Sequence, residues 1–149
     1  MKVSVVNRCS DFKSYRAARV KSLFNVESGA DFSIEADIPI GEDGWKIGVI
    51  VGPSGSGKTS LGRKVFGAEA MYEPTWPGDA PIVDAIAPGG DFDAVTGALA
   101  SVGLGSVPSW LRPYQVLSNG EKFRANLARL VSEAPRAAVV DEFTSVVDR

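Results

Sequence analysis

The spacing of apolar positions changes period several times along this chain. Lys2 to Val6 predicts a short opening strand. From Asp11 to Val26 two readings stay open. Phe12, Tyr15, Val20, Leu23 and Phe24 fall loosely on one helical face, while Val20 to Val26 also fits a strand. Phe32, Ile34, Ala36, Ile38 and Ile40 alternate with other residues and predict a half-buried strand. The polar turn Gly41-Glu42-Asp43-Gly44 then leads into Trp45 to Val51. This pairing predicts a hairpin whose second arm is a buried strand. Ser60 to Phe66 reads as a short helix.

The second half is punctuated differently. Gly67 to Pro88 is rich in Pro, Gly and aromatics, with one or two helical turns at Pro81 to Ile86. Asp91 is a fitting N-cap for a helix running through Leu99 to about Val102, and Gly103 and Gly105 end it. Val107 to Tyr114 reads as a loop. Asn119 or Gly120 opens a second strong helix to about Glu133, with Phe123, Leu127, Leu130 and Val131 as its apolar stripe. Pro135 stops it. Ala137 to Val140 is a short continuous apolar run, the signature of a central parallel strand covered on both faces. No repeat or low-complexity tract interrupts the order.

Composition narrows the class. With 149 residues and 44% apolar content, the chain can bury a real core. No apolar run approaches the ~20 residues of a membrane helix, and Met1 to Val6 lacks the features of a signal peptide. Cys9 is the single cysteine, so no internal disulfide can form, which suits the cytoplasm. The net charge of −2 gives no bulk support for nucleic-acid binding. Histidine is absent, which excludes imidazole acid–base chemistry and His metal sites within these residues.

The chemistry concentrates at Gly52-Pro53-Ser54-Gly55-Ser56-Gly57-Lys58-Thr59, followed by Ser60. The pattern is that of a phosphate-binding loop between a strand and a helix. Its glycines let successive N–H groups converge on one anion. Lys58 supplies a compact positive charge, Thr59 a hydroxyl for Mg²⁺, and the helix N-terminus a partial positive charge. A nucleoside triphosphate is the expected ligand. Asp141-Glu142 ends the apolar run Ala137 to Val140. Beside such a loop, Asp141 is expected to reach the metal through water and Glu142 to polarise an attacking water.

A third segment, Leu117-Ser118-Asn119-Gly120-Glu121, precedes the helix carrying Arg124 and Leu127-Ala128-Arg129-Leu130. It resembles the signature motif of the ATP-binding cassette (ABC) ATPases, usually Leu-Ser-Gly-Gly-Gln. Ser145-Val146-Val147-Asp148 resembles that family's D-loop, with Asp148 as its acid. The match touches roughly Ile34 to the C-terminus. It implies an α/β fold of the P-loop NTPase kind: an ABC-type core with a reduced helical arm, and a mixed sheet with an N-terminal antiparallel portion. The expected division is one partial domain over 1–149, with the core at 1–70 and 134–149 and the arm at 71–133. The resemblance also implies MgATP hydrolysis in a head-to-tail homodimer, where Leu117 to Glu121 closes the partner's site in trans. Leu111-Arg112-Pro113, Gly120 to Ala125 and Asp141 to Arg149 are similar to a soluble branch of the family, some of whose members are associated with a predicted acetyltransferase domain.

Departures qualify what the resemblance implies. Asn119 replaces a glycine and Glu121 a glutamine, so extra negative charge beside a phosphate site should weaken the composite interface unless Lys122 or Arg124 offsets it. No glutamine occupies the family's Q-loop, since Gln115 lies beside the signature. The segment from Lys58 to Ser118 is shorter than in transporter cassettes, which argues against ordinary coupling to a permease. The family's switch histidine belongs a few tens of residues beyond Glu142, so a fragment, with a fused or associated domain after Arg149, is the expectation. Phe24 and Phe32 are candidates for stacking on adenine, with a core role favoured for each. Trp76 and Trp110 read as packing or partner contacts. The rival function is a non-hydrolysing module in which ATP drives dimerisation or docking.

Overall fold

The computed structural model describes residues 1–29, 31–40 and 46–143. The chain divides into two compact units, one over Met1–Ala68 and one from Glu69 onward.

In the first unit β1 (Lys2–Arg8) and β2 (Asp31–Asp37) form an antiparallel pair, with Val5 opposite Ile34 and Val3 opposite Ala36. Period-two alternation puts Val3 and Val5 on one face, where they are buried with Leu61 of α2 (Lys58–Phe66). Val65, Ala36 and Ile38 pack around them. Asn7 Nδ2 donates to Ser60 Oγ at 3.2 Å, a second tie between β1 and the first turn of α2.

Capping decides the reading left open between Asp11 and Val26. Ser14 Oγ accepts from the Ala17 N–H, and Asn25 ends the segment in the left-handed region at φ 50°. The result is the helix α1 (Tyr15–Phe24). Both caps are strong helix-end signals.

Two strand expectations fail. β2 takes β1 as its partner, and Lys46–Val51 joins no ladder among the described residues. Ile47, Val49 and Val51 are 80–86% exposed. The turn at Gly41 to Gly44, and Trp45 with it, lies outside the described residues. Ala137–Val140 is likewise not a covered central strand; its pairing is one parallel bridge, Met71 to Val139. The physical reason is shared. An apolar run becomes an interior strand only when neighbours on both sides take its N–H and C=O groups. The described residues supply one bridge to the second run and none to the first.

The second unit is helical: α3 (Ile82–Ala85), α4 (Phe92–Ser101), α5 (Val107–Trp110) and α6 (Asn119–Glu133), with 3₁₀ turns at Ala68–Ala70 and Tyr114–Val116. Asp91 caps α4 as expected, accepting from the Ala94 N–H at 3.2 Å. The stretch expected as a loop at Val107 to Tyr114 instead holds α5, with Pro108 in its first turn where a missing N–H costs nothing.

The core joins Ile82, Ile86, Leu99, Leu104 and Leu117 to Ala125 and Ala128. Burying a Leu or Ile side chain of this kind is worth about 1.5–3 kcal/mol. On α6 the expected stripe is displaced. Ala125 and Ala128 are fully buried, whereas Val131 is 59% exposed. α4 packs against α6, and small residues at i and i+3 let the two backbones approach. Trp76 stacks on Tyr114 with centroids 4.9 Å apart, and Trp110 Nε1 donates to the Leu104 carbonyl at 2.7 Å. Both tryptophans therefore serve packing, one of the two roles expected of them.

α6 starts with a reciprocal capping box. Ser118 Oγ accepts from the Glu121 N–H, and Glu121 Oε2 accepts from the Ser118 N–H at 2.9 Å. Oε1 accepts from Ser109 Oγ at 2.5 Å, tying α5 to α6. These bonds, from Ser109 first and then Ser118, hold the Glu121 carboxyl down at about 2. A lowered folded-state value means the stabilisation is complete above the unfolded value of about 4.3 and is lost as pH falls towards about 2. Chemical denaturation from pH 6 to pH 2.5 is therefore expected to show wild type losing stability more steeply than Glu121→Gln. Parallel curves would contradict this.

Candidate functional site

The loop from Gly52 to Thr59 is built around positions that accept no side chain. Gly55 and Gly57 have φ of 75° and 80°. At Gly57 the second restriction is steric: a Cβ there would sit 2.0 Å from Ile34 Cδ1 and 3.1 Å from Phe32 Cε1. β2 thus presses directly on the residue before α2, and only glycine satisfies both the contact and the left-handed backbone. The Ser56 N–H donates to the Pro53 carbonyl at 3.2 Å, tightening the turn.

Lys58 opens α2, and its Nζ donates to the carbonyls of Gly52 at 3.0 Å and Pro53 at 2.8 Å. The ammonium therefore lies over the loop itself. Gly57 caps α2 without any side-chain acceptor, so no side chain of the cap covers the helix's first N–H groups. Thr59 stands in the first turn, and Ser60, through its bond from Asn7, holds the loop's exit to β1. Phe24 and Phe32 are exposed, at 72% and 42%, so neither is the core residue favoured for it. Only Phe32 has a recorded approach to the loop, through Gly57.

The second unit holds the other two segments. Val139 donates its N–H to the Ala70 carbonyl at 2.7 Å and accepts from the Tyr72 N–H at 2.9 Å. This parallel bridge carries the chain to Asp141 and Glu142, both exposed. Glu142 is in the left-handed region at φ 50°, uncommon for a residue with a Cβ, and its N–H donates to Asp141 Oδ1 at 3.0 Å. A cleft of about 310 Å³ adjoins the pair, lined also by Tyr72, Glu73, Asn126 and Val140. Burial and a hydrogen bond to Glu133 push the Tyr72 hydroxyl well above its usual range; that hydroxyl donates to Glu133 Oε2 at 3.0 Å.

Glu73 was not anticipated as part of this cleft. Parallel pairing of Met71 with Val139 sets Glu73 in register with Asp141, two residues along each segment. The one sequence cue was the acid between Tyr72 and Pro74, after an apolar Ala-Met pair.

In the signature-like segment the roles divide. Leu117 is 4% exposed and belongs to the core. Ser118 is the N-cap, and Asn119 and Gly120 are the first residues of α6. The Glu121 carboxylate, expected to place unbalanced charge at this end, is instead engaged by Ser109 and Ser118. These hydroxyl and amide donors stabilise the ionised carboxylate without removing its charge. Lys122 Nζ lies 5.8 Å from the Tyr114 ring centroid. Gln115 Nε2 donates to the carbonyls of Trp76 and Pro77, both at 3.4 Å. Asp148 and the D-loop-like Ser145 to Asp148 lie outside the described residues.

Loop 52–60 belongs to the first unit, and Asp141, Glu142 and Leu117 to Glu121 belong to the second. Among the described residues no helix is long and apolar enough to cross a membrane.

No protein-family profile matches the sequence, and no solved structure matches it. A curated protein does: the Zinc import ATP-binding protein ZnuC of Pseudomonas syringae pv. syringae (strain B728a), 32% identical over 133 residues. The match covers 75% of this chain and 50% of that protein, so the chain spans about half the length of the relative. The mixed α/β architecture with its small antiparallel sheet is compatible with a fragment of an ABC ATPase. The similarity supports a relationship between this chain and the ABC ATP-binding proteins.

Proposed function

We propose that this chain binds MgATP and, in complete form, hydrolyses it to ADP and phosphate. The observation that carries the reading is the loop Gly52 to Thr59: glycines at positive φ, a Cβ-intolerant Gly57 under β2, and a lysine at the first position of α2. Such a loop offers N–H groups and one ammonium to a polyanion. ZnuC is by name an ATP-binding protein, which favours ATP as that polyanion. The import role in that name stays with the relative.

In this reading the phosphate oxygens accept from the amides of Gly55 and Gly57 and from Lys58, which exchanges the carbonyls of Gly52 and Pro53 for the phosphates. Pro53, Ser54 and Ser56 shape the turn, and Ser60 anchors its exit. The Thr59 hydroxyl and the Asp141 carboxylate are each a hard oxygen donor of the kind Mg²⁺ requires. The metal, when bound, neutralises charge developing on the transferred phosphoryl group. Glu142 accepts a proton from the attacking water and aligns it; its left-handed backbone, held by Asp141 Oδ1, fixes its direction. Phe32 is the aromatic that contacts adenine. Ser118 and Gly120 at the start of α6 close the site of a second copy, giving a two-fold pair. The cytoplasm is the compartment that supplies ATP to such a site.

The contrasting reading, an ATP-dependent docking module without turnover, draws on the lack of any glutamine between Lys58 and Tyr114, where the family places its Q-loop. Steady-state phosphate release against ATP-dependent dimerisation on a sizing column separates the two.

Lys58→Ala is expected to weaken ATP binding by roughly 30- to 1,000-fold, the cost of deleting one partner of a buried charge pair. Isothermal calorimetry reads this directly, and an unchanged affinity removes the proposal. Glu142→Gln in the complete protein is expected to retain ATP binding while turnover falls roughly 100- to 10,000-fold, the range for loss of a general base. Undiminished hydrolysis would point to another base.

A further inference from the structure

α1 differs from the other long helices in burying none of its residues. α2 packs on β1, and α4 on α6. Phe12, just before α1, and Tyr15, Leu23 and Phe24 within it are 68–76% exposed. A polar helix at the surface needs no explanation, but several large apolar side chains together in water mark an interaction face.

The charge of this stretch opposes that of the chain. Residues 8–24 hold five Lys or Arg and one Asp, a local +4 within a net −2. Arg8 pairs with Asp31 at 3.5 Å and Lys21 with Asp11 at 2.7 Å. Lys13 adds to the positive field on Asp11, and no ion pair involves Arg16 or Arg19 among the described residues. Arg19 Nη1 donates to the Tyr15 hydroxyl at 3.2 Å, setting a guanidinium beside an aromatic ring. At 3.6 residues per turn, Tyr15, Arg19, Leu23, Arg16, Val20 and Phe24 follow one another around half the helix. Aromatic or aliphatic and basic positions are interleaved across that arc.

We propose that this face of α1 docks single-stranded nucleic acid. The interleaving selects the partner. A helix that lies on a membrane needs a continuous apolar stripe with its cations at the flanks, and here Arg16 and Arg19 stand inside the apolar arc. A single strand presents phosphates and flat base faces together, which suits guanidiniums alternating with rings. Tyr15 to Phe24 spans about 13 Å at 1.5 Å per residue, room for two or three nucleotides. The negative charge of the chain as a whole counts against nucleic acid only as an average; Arg16 and Arg19 side by side give this face of α1 a local field of the opposite sign. The proposal is independent of the ATP site.

The test is fluorescence anisotropy of a labelled 15-nucleotide oligodeoxythymidine with the full chain, with binding to phosphatidylserine-containing vesicles measured in parallel. The compared variants are Arg16→Glu with Arg19→Glu, and Tyr15→Ala with Phe24→Ala. All four positions are exposed, so circular dichroism should match wild type. Charge reversal is expected to weaken oligonucleotide binding at least tenfold, and loss of the two rings roughly 30-fold or more, since each stacked base is worth about 1 kcal/mol or more. For about three phosphates the log–log salt slope should lie near −2. No anisotropy change at low salt, wild-type affinity in either double variant, or binding to vesicles without binding to the oligonucleotide would each overturn the proposal.

Discussion

The absence of a Cβ at Gly57 is the constraint on which the first unit depends. Its backbone is left-handed and Ile34 fills the space a side chain would need, so loop, helix and strand are fixed by one contact. β1 holds β2, β2 presses on Gly57, and α2 starts at the next residue with Leu61 buried against Val3 and Val5. The contact that excludes a side chain at Gly57 thus lies at the start of the helix whose Leu61 enters the small core.

The second unit solves a different problem, the close approach of α4 and α6. Ala125 and Ala128 allow that approach, while Leu99, Ile82 and Ile86 fill the space around it. Glu121 has a structural role at the start of α6. A carboxylate at the third position of a helix is at home there, because the helix start offers N–H groups and partial positive charge. Ser109 and Ser118 complete its hydrogen bonding and so stiffen the segment that joins α5 to α6.

Legibility in the sequence followed the range of the interactions involved. Local signals were read well. Asp91 as an N-cap, the helix from Asn119 to Glu133 and the helix leaving the loop at Lys58 each rest on neighbours a few residues apart. Pairing was read less well. β2 took β1, some thirty residues upstream, as partner, because alternation announces a strand without saying which strand it joins. The apolar runs at Ile47 to Val51 and Ala137 to Val140 looked like interior strands for the same reason. Phe123, Leu127 and Val131 suggested the buried face of α6, yet the tight helix–helix contact chose alanines, which hydrophobic periodicity underweights. At the candidate site the motifs named Lys58, Asp141 and Glu142. Neither the fold of Lys58 onto Gly52 and Pro53 nor the entry of Glu73 into the cleft has a marker in the linear pattern.

The most direct measurement is the amide ¹H–¹⁵N spectrum of the uniformly labelled chain, titrated with ATP in the presence of Mg²⁺. Because the central claim is that backbone N–H groups of the loop receive the phosphates, the resonances of Gly55, Gly57 and Lys58 should move most, together and with one dissociation constant. Loop amides that stay fixed at saturating ATP, while resonances elsewhere shift, would contradict it.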